Sequence, residues 1–302
     1  MAGRKQKRAL AEHAHFVKSP WLVPFDAKFD VKKARTSPPK GAPGKQDCRK
    51  KLDDLVEEIR DLQEVFYASD RHALLLVFQA MDAAGKDGTI RAVLTGTNPA
   101  ACQVYSFKAP SDEELDHDFL WRTARSLPER GRIGVFNRSY YEEVLVVRAH
   151  PQYLERQRLP KTKDLDALWQ ERFESIRDHE RHLARNGTVV VKFWLNVSRA
   201  EQKKRFLSRI DERTSNWKFQ SGDVAERAFW PSYMKAYEEA LNATSRPWAP
   251  WYAIPADDKA YMRVAVAQIV VDTLRGLPLA FPELDGKEQH RLREMRRMLT
   301  DE

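Results

Sequence analysis

The chain's 302 residues, 42% of them hydrophobic, suffice for one large domain or two ordinary ones with a sizeable core, which excludes a disordered protein. The formal charge of +8 is unevenly placed: residues 1–51 hold 14 Lys/Arg against 4 Asp/Glu, a net of +10, leaving −2 for the rest. The longest apolar run, Ala73–Phe78, is far short of the ~20 residues a membrane span requires, and no apolar stretch follows the basic start as a secretory signal would have. Two cysteines, Cys48 and Cys102, make neither a disulfide framework nor a zinc set, so a cytoplasmic, reducing setting is the expectation.

Residues 1–47 form a basic, proline-containing arm whose Trp21, Phe25 and Phe29 predict that part of it packs down. From Leu52 the periodicity turns helical, and Leu55, Val56, Ile59, Leu62 and Phe66 predict a helix over 48–68. Ala73–Phe78 is a buried strand, a helix follows over 86–96, and Gln103–Phe107 is a second strand. Ser111 and Glu114 make a capping box that opens a helix carrying Leu115, Phe119 and Leu120. Arg132–Phe136 is a third strand, 163–185 a long helix, and Thr188–Leu195 a strand rich in β-branched and aromatic residues. Ser198 with Glu201 caps a helix to Ile210, and residues 211–230 carry no clear periodicity. A helix over 231–243, a strand at Trp251–Ile254 and a helix at Tyr261–Leu274 complete a domain over 48–280, and a charged, helical tail covers 281–302. Short apolar strands alternating with helices predict an α/β fold, a three-layer α/β/α sandwich with a mostly parallel sheet, with 196–243 as a helical lid.

The stretch Phe78-Gln-Ala-Met-Asp-Ala-Ala-Gly-Lys-Asp-Gly-Thr89 places a Gly-Lys pair between a buried strand and a helix start, the context of a phosphate-binding loop. Backbone N–H groups of Ala83, Ala84, Gly85, Asp87, Gly88 and Thr89 would face an anion there, and Lys86 would add a mobile charge. The usual pattern has Gly where Ala80 stands and a hydroxyl where Asp87 stands, so the customary magnesium ligand is missing; Asp82 offers a carboxylate in its place. A plain strand-to-helix turn with an exposed Lys is the competing interpretation. Asn137, Arg138 and Glu142 follow the third strand, where α/β sheets bind ligands. Glu142 and Glu143 also suit a helix start without any ligand.

These segments resemble the polyphosphate kinase 2 family. Besides the loop, the resemblance rests on Phe107-Lys-Ala-Pro, Glu114-Leu-Asp-His-Asp-Phe-Leu-Trp-Arg122, Phe136-Asn-Arg-Ser-Tyr-Tyr-Glu142, Trp217-Lys-Phe, Trp230-Pro-Ser-Tyr233 and Ile254-Pro-Ala-Asp-Asp-Lys259, in order over roughly 45–275. It implies a P-loop kinase-like fold and Mg²⁺-dependent phosphoryl transfer from inorganic polyphosphate to nucleoside mono- or diphosphates (AMP/ADP, GMP/GDP), by a homo-oligomer (dimer or tetramer). It also implies catalytic roles for Asp82, Lys86, Arg138 and Glu142. Many members carry Asp where this chain has Asn137, and Asn is similar to a subgroup acting on both mono- and diphosphates. The second magnesium carboxylate beside Asp82 is therefore expected to be Glu142. Lys204, Arg205 and Arg209 match the family's lid, and Lys108 and Arg122 are further candidates for the polyphosphate path.

Other residues take the plainer interpretation. Trp217, Phe219, Trp248 and Trp251 could stack a base but are more often core. His13 and His15 carry no signal, and His179 and His182, three apart on a helix, lack the further ligands a metal site needs. An ATP-dependent nucleotide kinase would share the loop and lid. A nucleic-acid-binding protein acting through the basic arm would lose salt-sensitive binding when residues 1–45 are removed, but it leaves Asp82 and the lid unexplained.

Overall fold

The structure, a computed structural model, describes residues 15–160, 164–213, 216–218 and 222–301. The expectations at His13 and Phe219 lie outside the described residues.

Five strands form one all-parallel sheet: β1 (Ala73–Gln79), β2 (Cys102–Ser106), β3 (Ile133–Asn137), β4 (Thr188–Asn196) and β5 (Trp251–Pro255), in the order β2-β3-β1-β4-β5. β1 lies at the centre and every residue of it is buried, which is why its sequence is a continuous apolar run and not an alternation. β2 is an edge strand, and there Val104 is half exposed. The chain runs from β1 to β2 on one side, returns through β3, then crosses to β4 on the other. The crevice at the carboxyl ends of β1, β3 and β4 is a topological switch point.

Helices cover both faces. On one lie α1 (Lys45–Ser69), α2 (Lys86–Val93) and α10 (Lys259–Arg275), with α10 packed along α1. On the other lie α5 (Glu142–Ala149), α6 (Leu165–Arg185) and α9 (Trp230–Thr244). Two short helices, α3 (Asp112–Leu115) and α4 (Trp121–Ala124), precede β3. α7 (Arg199–Asp211) and the short α8 (Gly222–Glu226) follow β4, and α11 (Gly286–Thr300) closes the chain as an exposed helix.

Two expectations are corrected. The helix opened by Ser111 does not continue through Phe119: both halves of its capping box form, but it stops at Leu115, and Asp118 accepts from the Leu120 amide (2.9 Å) ahead of α4. Of the expected lid over 196–243, α9 is a core helix, because Tyr233, Ala236, Tyr237, Ala240 and Leu241 are buried against α5 and the sheet. The arm is a strap from Val17 onward. Leu22 bridges to Tyr252 at the β5 edge, Ser245 Oγ donates to the Val23 carbonyl (2.9 Å), and Asn242 exchanges two hydrogen bonds with the Phe29 backbone. A deletion of 1–45 would therefore remove part of the fold along with the charge.

Lys192 interrupts the apolar run of β4 and is fully buried. Its three ammonium donors reach Glu180 Oε2 (2.6 Å), Tyr141 OH (2.8 Å) and the Thr244 carbonyl (2.9 Å), while Glu180 Oε1 accepts from the hydroxyls of Tyr140 and Tyr141. Burial pushes the ammonium down to about 8 even though Glu180 pulls it upward. Removing one member of such a pair strands the other charge in the core. Lys192→Met should therefore lose about 3–5 kcal/mol, with Lys192→Met/Glu180→Gln recovering part of it, as measured by urea unfolding. A single-variant loss below about 1 kcal/mol would contradict this account.

Candidate active site

The loop between β1 and α2 turns at Gly85, whose φ of +105° is open to glycine; an added Cβ would also sit 3.2 Å from Met262 Cε. Ala83 (φ +60°) is left-handed as well, a conformation that costs a non-glycine residue about 1 kcal/mol or more. Lys86 opens α2 and rests its ammonium on the Ala80 carbonyl at 3.1 Å. Burial and the nearby Arg138 push that ammonium below its ordinary value, while Asp82, Glu142 and Asp87 pull it back up.

β3 ends in register beside β1, with Asn137 opposite Phe78, and the Arg138 amide bonds to the Phe78 carbonyl at 3.0 Å. Arg138 also has a left-handed backbone (φ +65°). Its guanidinium lies 3.0 Å from Asp82 Oδ1 and 3.9 Å from Glu142 Oε2. Glu142 is pushed above its ordinary value by burial, against the pull of Arg138 and Lys86. Asp82, Lys86, Arg138 and Glu142, expected from the sequence to act together, are thus one cluster. Two carboxylates converging on one cation suit Mg²⁺, which takes one or two of them and completes its shell from phosphate and water. Among the described residues no three His, Cys, Asp or Glu side chains gather in a metal-binding group.

Several expected phosphate ligands are otherwise engaged. Thr89 is fully buried and its hydroxyl donates to the Gly85 carbonyl (2.9 Å). Asp87 accepts from the Asn137 side-chain amide at 2.7 Å. Arg122 donates to the Lys108 carbonyl (2.9 Å), pairs with Glu114 (3.4 Å) and lies over Phe107, so it braces the segment after β2. Arg205, expected on the polyphosphate path, is buried, and all five of its donors are used: Glu201, then the carbonyls of Ala83, Ala84, Ala256 and Asp257. Trp251 is buried, bonded to Thr244 and packed on Tyr141, so it stacks on no base. Lys108 stays exposed at the carboxyl end of β2, and Ala84 is buried within the turn.

A second feature was not read from the sequence. A cleft of about 470 Å³ runs between α1, α7 and the start of α10, lined by Lys45, Arg49, Lys204, Arg205, Lys259 and Arg263. It begins at the phosphate loop, since an added Cβ on Gly88 would sit 3.3 Å from Arg263 Nη2. Its carboxylates are committed elsewhere: Glu201 to Arg205, Asp257 to the Ser198 amide and Ser37 hydroxyl, Asp258 to the amides that open α10. Lys259 falls below its ordinary value through burial and through Arg205, Arg263 and Arg209. Arg263 is lowered likewise by burial, Arg91 and Arg49, and its buried Nε has no hydrogen-bond partner. One signal was present in the sequence. Lys45/Arg49 and Lys259/Arg263 are i, i+4 basic pairs in the opening turns of α1 and α10, where the helix dipole disfavours cations unless an anion lies between them.

A parallel sheet in this order, a Gly-Lys loop running into a helix, paired carboxylates and a basic cleft define a P-loop kinase-like protein. The sequence matches Polyphosphate kinase 2 (PPK2) over residues 43–278, and the chain belongs to that family. It is 56% identical over 245 residues to the ADP-polyphosphate phosphotransferase of Rhodopseudomonas palustris, covering 81% of this chain and 85% of that one. It is 42% identical over 266 residues to the AMP/ADP-polyphosphate phosphotransferase of Meiothermus ruber, covering 87% and 95%. The crystal structure of polyphosphate kinase 2 from Arthrobacter aurescens TC1 superposes with a TM-score of 0.84 at 37% identity, over 95% of this chain and 98% of that one.

The Asn137–Asp87 contact yields a direct test. Asn137→Asp would oppose two carboxylates, costing about 1 kcal/mol near the surface at pH 7. The repulsion raises the pair's upper pKa in the folded state, so the deficit should shrink as pH falls below it. Urea unfolding at pH 7 and pH 5 checks both the size and the sign.

Proposed function

We propose that the chain transfers the terminal phosphoryl group of inorganic polyphosphate to nucleoside mono- or diphosphates, with Mg²⁺. The observation that carries the choice of donor is the cleft. A kinase using ATP needs an apolar slot for adenine at the tail of its donor. Here the tail position beyond Gly88 is walled by Lys45, Arg49, Lys204, Lys259 and Arg263, with its carboxylates already engaged. Such a wall suits a donor that is charged along its whole length.

The residues divide the work by position. The loop amides and Lys86 hold the transferring phosphoryl group, and the ammonium leaves the Ala80 carbonyl to reach it. Asp82 and Glu142 would hold Mg²⁺, which supplies charge neutralisation to the phosphate oxygens when bound. Arg138, freed from Asp82, offsets charge on the phosphates. The acceptor is a phosphate oxygen whose second pKa is about 6, so it is largely ionised near neutral pH and needs no general base. Polyphosphate shortened by one unit and the extended nucleotide are the products, and the number of phosphoanhydride bonds is conserved when the acceptor is a mono- or diphosphate. Catalysis is then alignment and charge neutralisation. We further propose that Asn137 accompanies use of both mono- and diphosphate acceptors, and that the chain works in the cytoplasm as a homo-oligomer.

Two outcomes are expected. With AMP, ADP, GMP or GDP as acceptor, polyphosphate supports turnover that chelation of magnesium abolishes, and ATP does not replace it; turnover with ATP alone would reverse the assignment. Lys259→Ala and Arg263→Ala should raise the polyphosphate KM about tenfold or more and leave the nucleotide KM in place, whereas Lys86→Ala should cut kcat about 10³-fold in a folded protein. Initial rates across a range of polyphosphate lengths measure both.

A further inference from the structure

The cradle for the phosphate is built from backbone, and each peptide unit in it has an amide at one end and a carbonyl at the other. A carbonyl turned into the cradle would repel phosphate oxygens. From Ala80 to Gly85, six consecutive carbonyls all have donors elsewhere. Ala80 accepts from Lys86 Nζ (3.1 Å), Met81 from the Ala84 amide (3.2 Å), and Gly85 from the Thr89 amide and hydroxyl (3.0 and 2.9 Å). The middle three are held from outside the loop. Gln202 Nε2 donates to the Asp82 carbonyl (3.0 Å), and Arg205 Nη1 donates to those of Ala83 (3.1 Å) and Ala84 (2.7 Å). Gln202 and Arg205 lie one turn apart on α7, both buried, and Ala83 between them is the loop's left-handed residue other than glycine.

We propose that Gln202 and Arg205 are positioning residues for phosphoryl transfer, which turn the carbonyls of Asp82, Ala83 and Ala84 away so that the loop faces the donor with those amides that are not bonded within the turn, the amides of Ala84 and Thr89 being committed to Met81 and Gly85. Asp82 carries the carboxylate expected to hold the metal, so the same contacts fix where that carboxylate starts. The hold extends further along the chain: Gln202 Oε1 accepts from Arg227 Nη1 (2.5 Å), and Arg227 also donates to the Arg199 carbonyl (3.2 Å). Residue 227, just past α8, is thereby linked to the loop through one amide side chain. The first turns of α7 are an anchor for the loop and not a freely moving flap. Arg205 has no donor left with which to bind polyphosphate.

The inference rests on the phosphotransferase reading for its kinetic consequence and on geometry alone for its structural one, so the test has two arms. Gln202→Glu keeps the shape and the acceptor for Arg227 but loses the donor to Asp82; Arg205→Lys keeps the charge but loses the fork. Each should lower kcat about 10²-fold, as a misplaced reacting group does, with the nucleotide KM and the urea midpoint near those of the parent. Hydrogen exchange should be faster at the amides of 82–86 and unchanged in β1 and α1. Values of kcat within about threefold of the parent in both variants would overturn the proposal, as would losses that follow the unfolded fraction. Activity retained in Gln202→Glu but lost in Arg205→Lys would make Arg205 a direct phosphate ligand and also overturn it. A parent protein without polyphosphate-dependent turnover would refute the function instead, and the exchange measurement would still decide the clamp.

Discussion

The constraint on which the site depends is the polarity of a few peptide groups. A sheet with a fully buried central strand delivers its chain end to a crevice where an anion has to be held. Every carbonyl there must find a donor away from the anion, or the backbone would oppose its own ligand. The solution uses the loop's own Lys86 and Thr89, and two side chains from a helix more than a hundred residues downstream. The left-handed backbones at Ala83 and Arg138 are tolerated because these bonds, and the Arg138–Phe78 bond, over-determine them.

Charge follows the same logic of mutual commitment. Lys86 rests on a carbonyl and Arg138 pairs with Asp82 and, more distantly, Glu142, so the charges of this cluster have partners within it. The basic cleft differs in kind. Its acids are occupied by helix amides and by Arg205, leaving Lys259 lowered by burial and by Arg205 and Arg263, and Arg263 lowered by burial and by Arg91 and Arg49. Beneath the β3 turn, the Lys192–Glu180 pair holds the hydroxyls of Tyr140 and Tyr141, the two residues between the Arg138–Ser139 turn and Glu142, and so ties the site to the core.

How much was legible in the sequence depended on the range over which the causes act. The loop, its Gly85-Lys86 pair and the buried strand before it are local, so they could be read directly, as could the sheet and most helices. The break between α3 and α4 could not, because Leu115, Phe119 and Leu120 keep a helical spacing across the point where Asp118 recaptures a backbone amide. Arg205 looked like any lid cation, since nothing nearby shows that four carbonyls from two distant loops converge on it. The cleft is assembled from three separated helix starts or turns, and only the odd placement of basic pairs at the openings of α1 and α10 hinted at it. Helix α9 falls inside the expected lid over 196–243, yet its Tyr233, Ala236, Tyr237, Ala240 and Leu241 are core packing, which a helical period alone does not distinguish from a lid face.

The strap over residues 17–31 gives the protein's basic front a mechanical meaning. β5 lies at one margin of the sheet, where an unpaired strand would offer its backbone to any neighbouring chain. Leu22 bridges to Tyr252, and the Ala253 and Val23 amides donate to the Trp21 and Trp251 carbonyls, so the arm spends its own backbone on that margin. Proteolytic trimming that reached the strap would uncover an adhesive seam, so the arm guards against aggregation whatever its charge does.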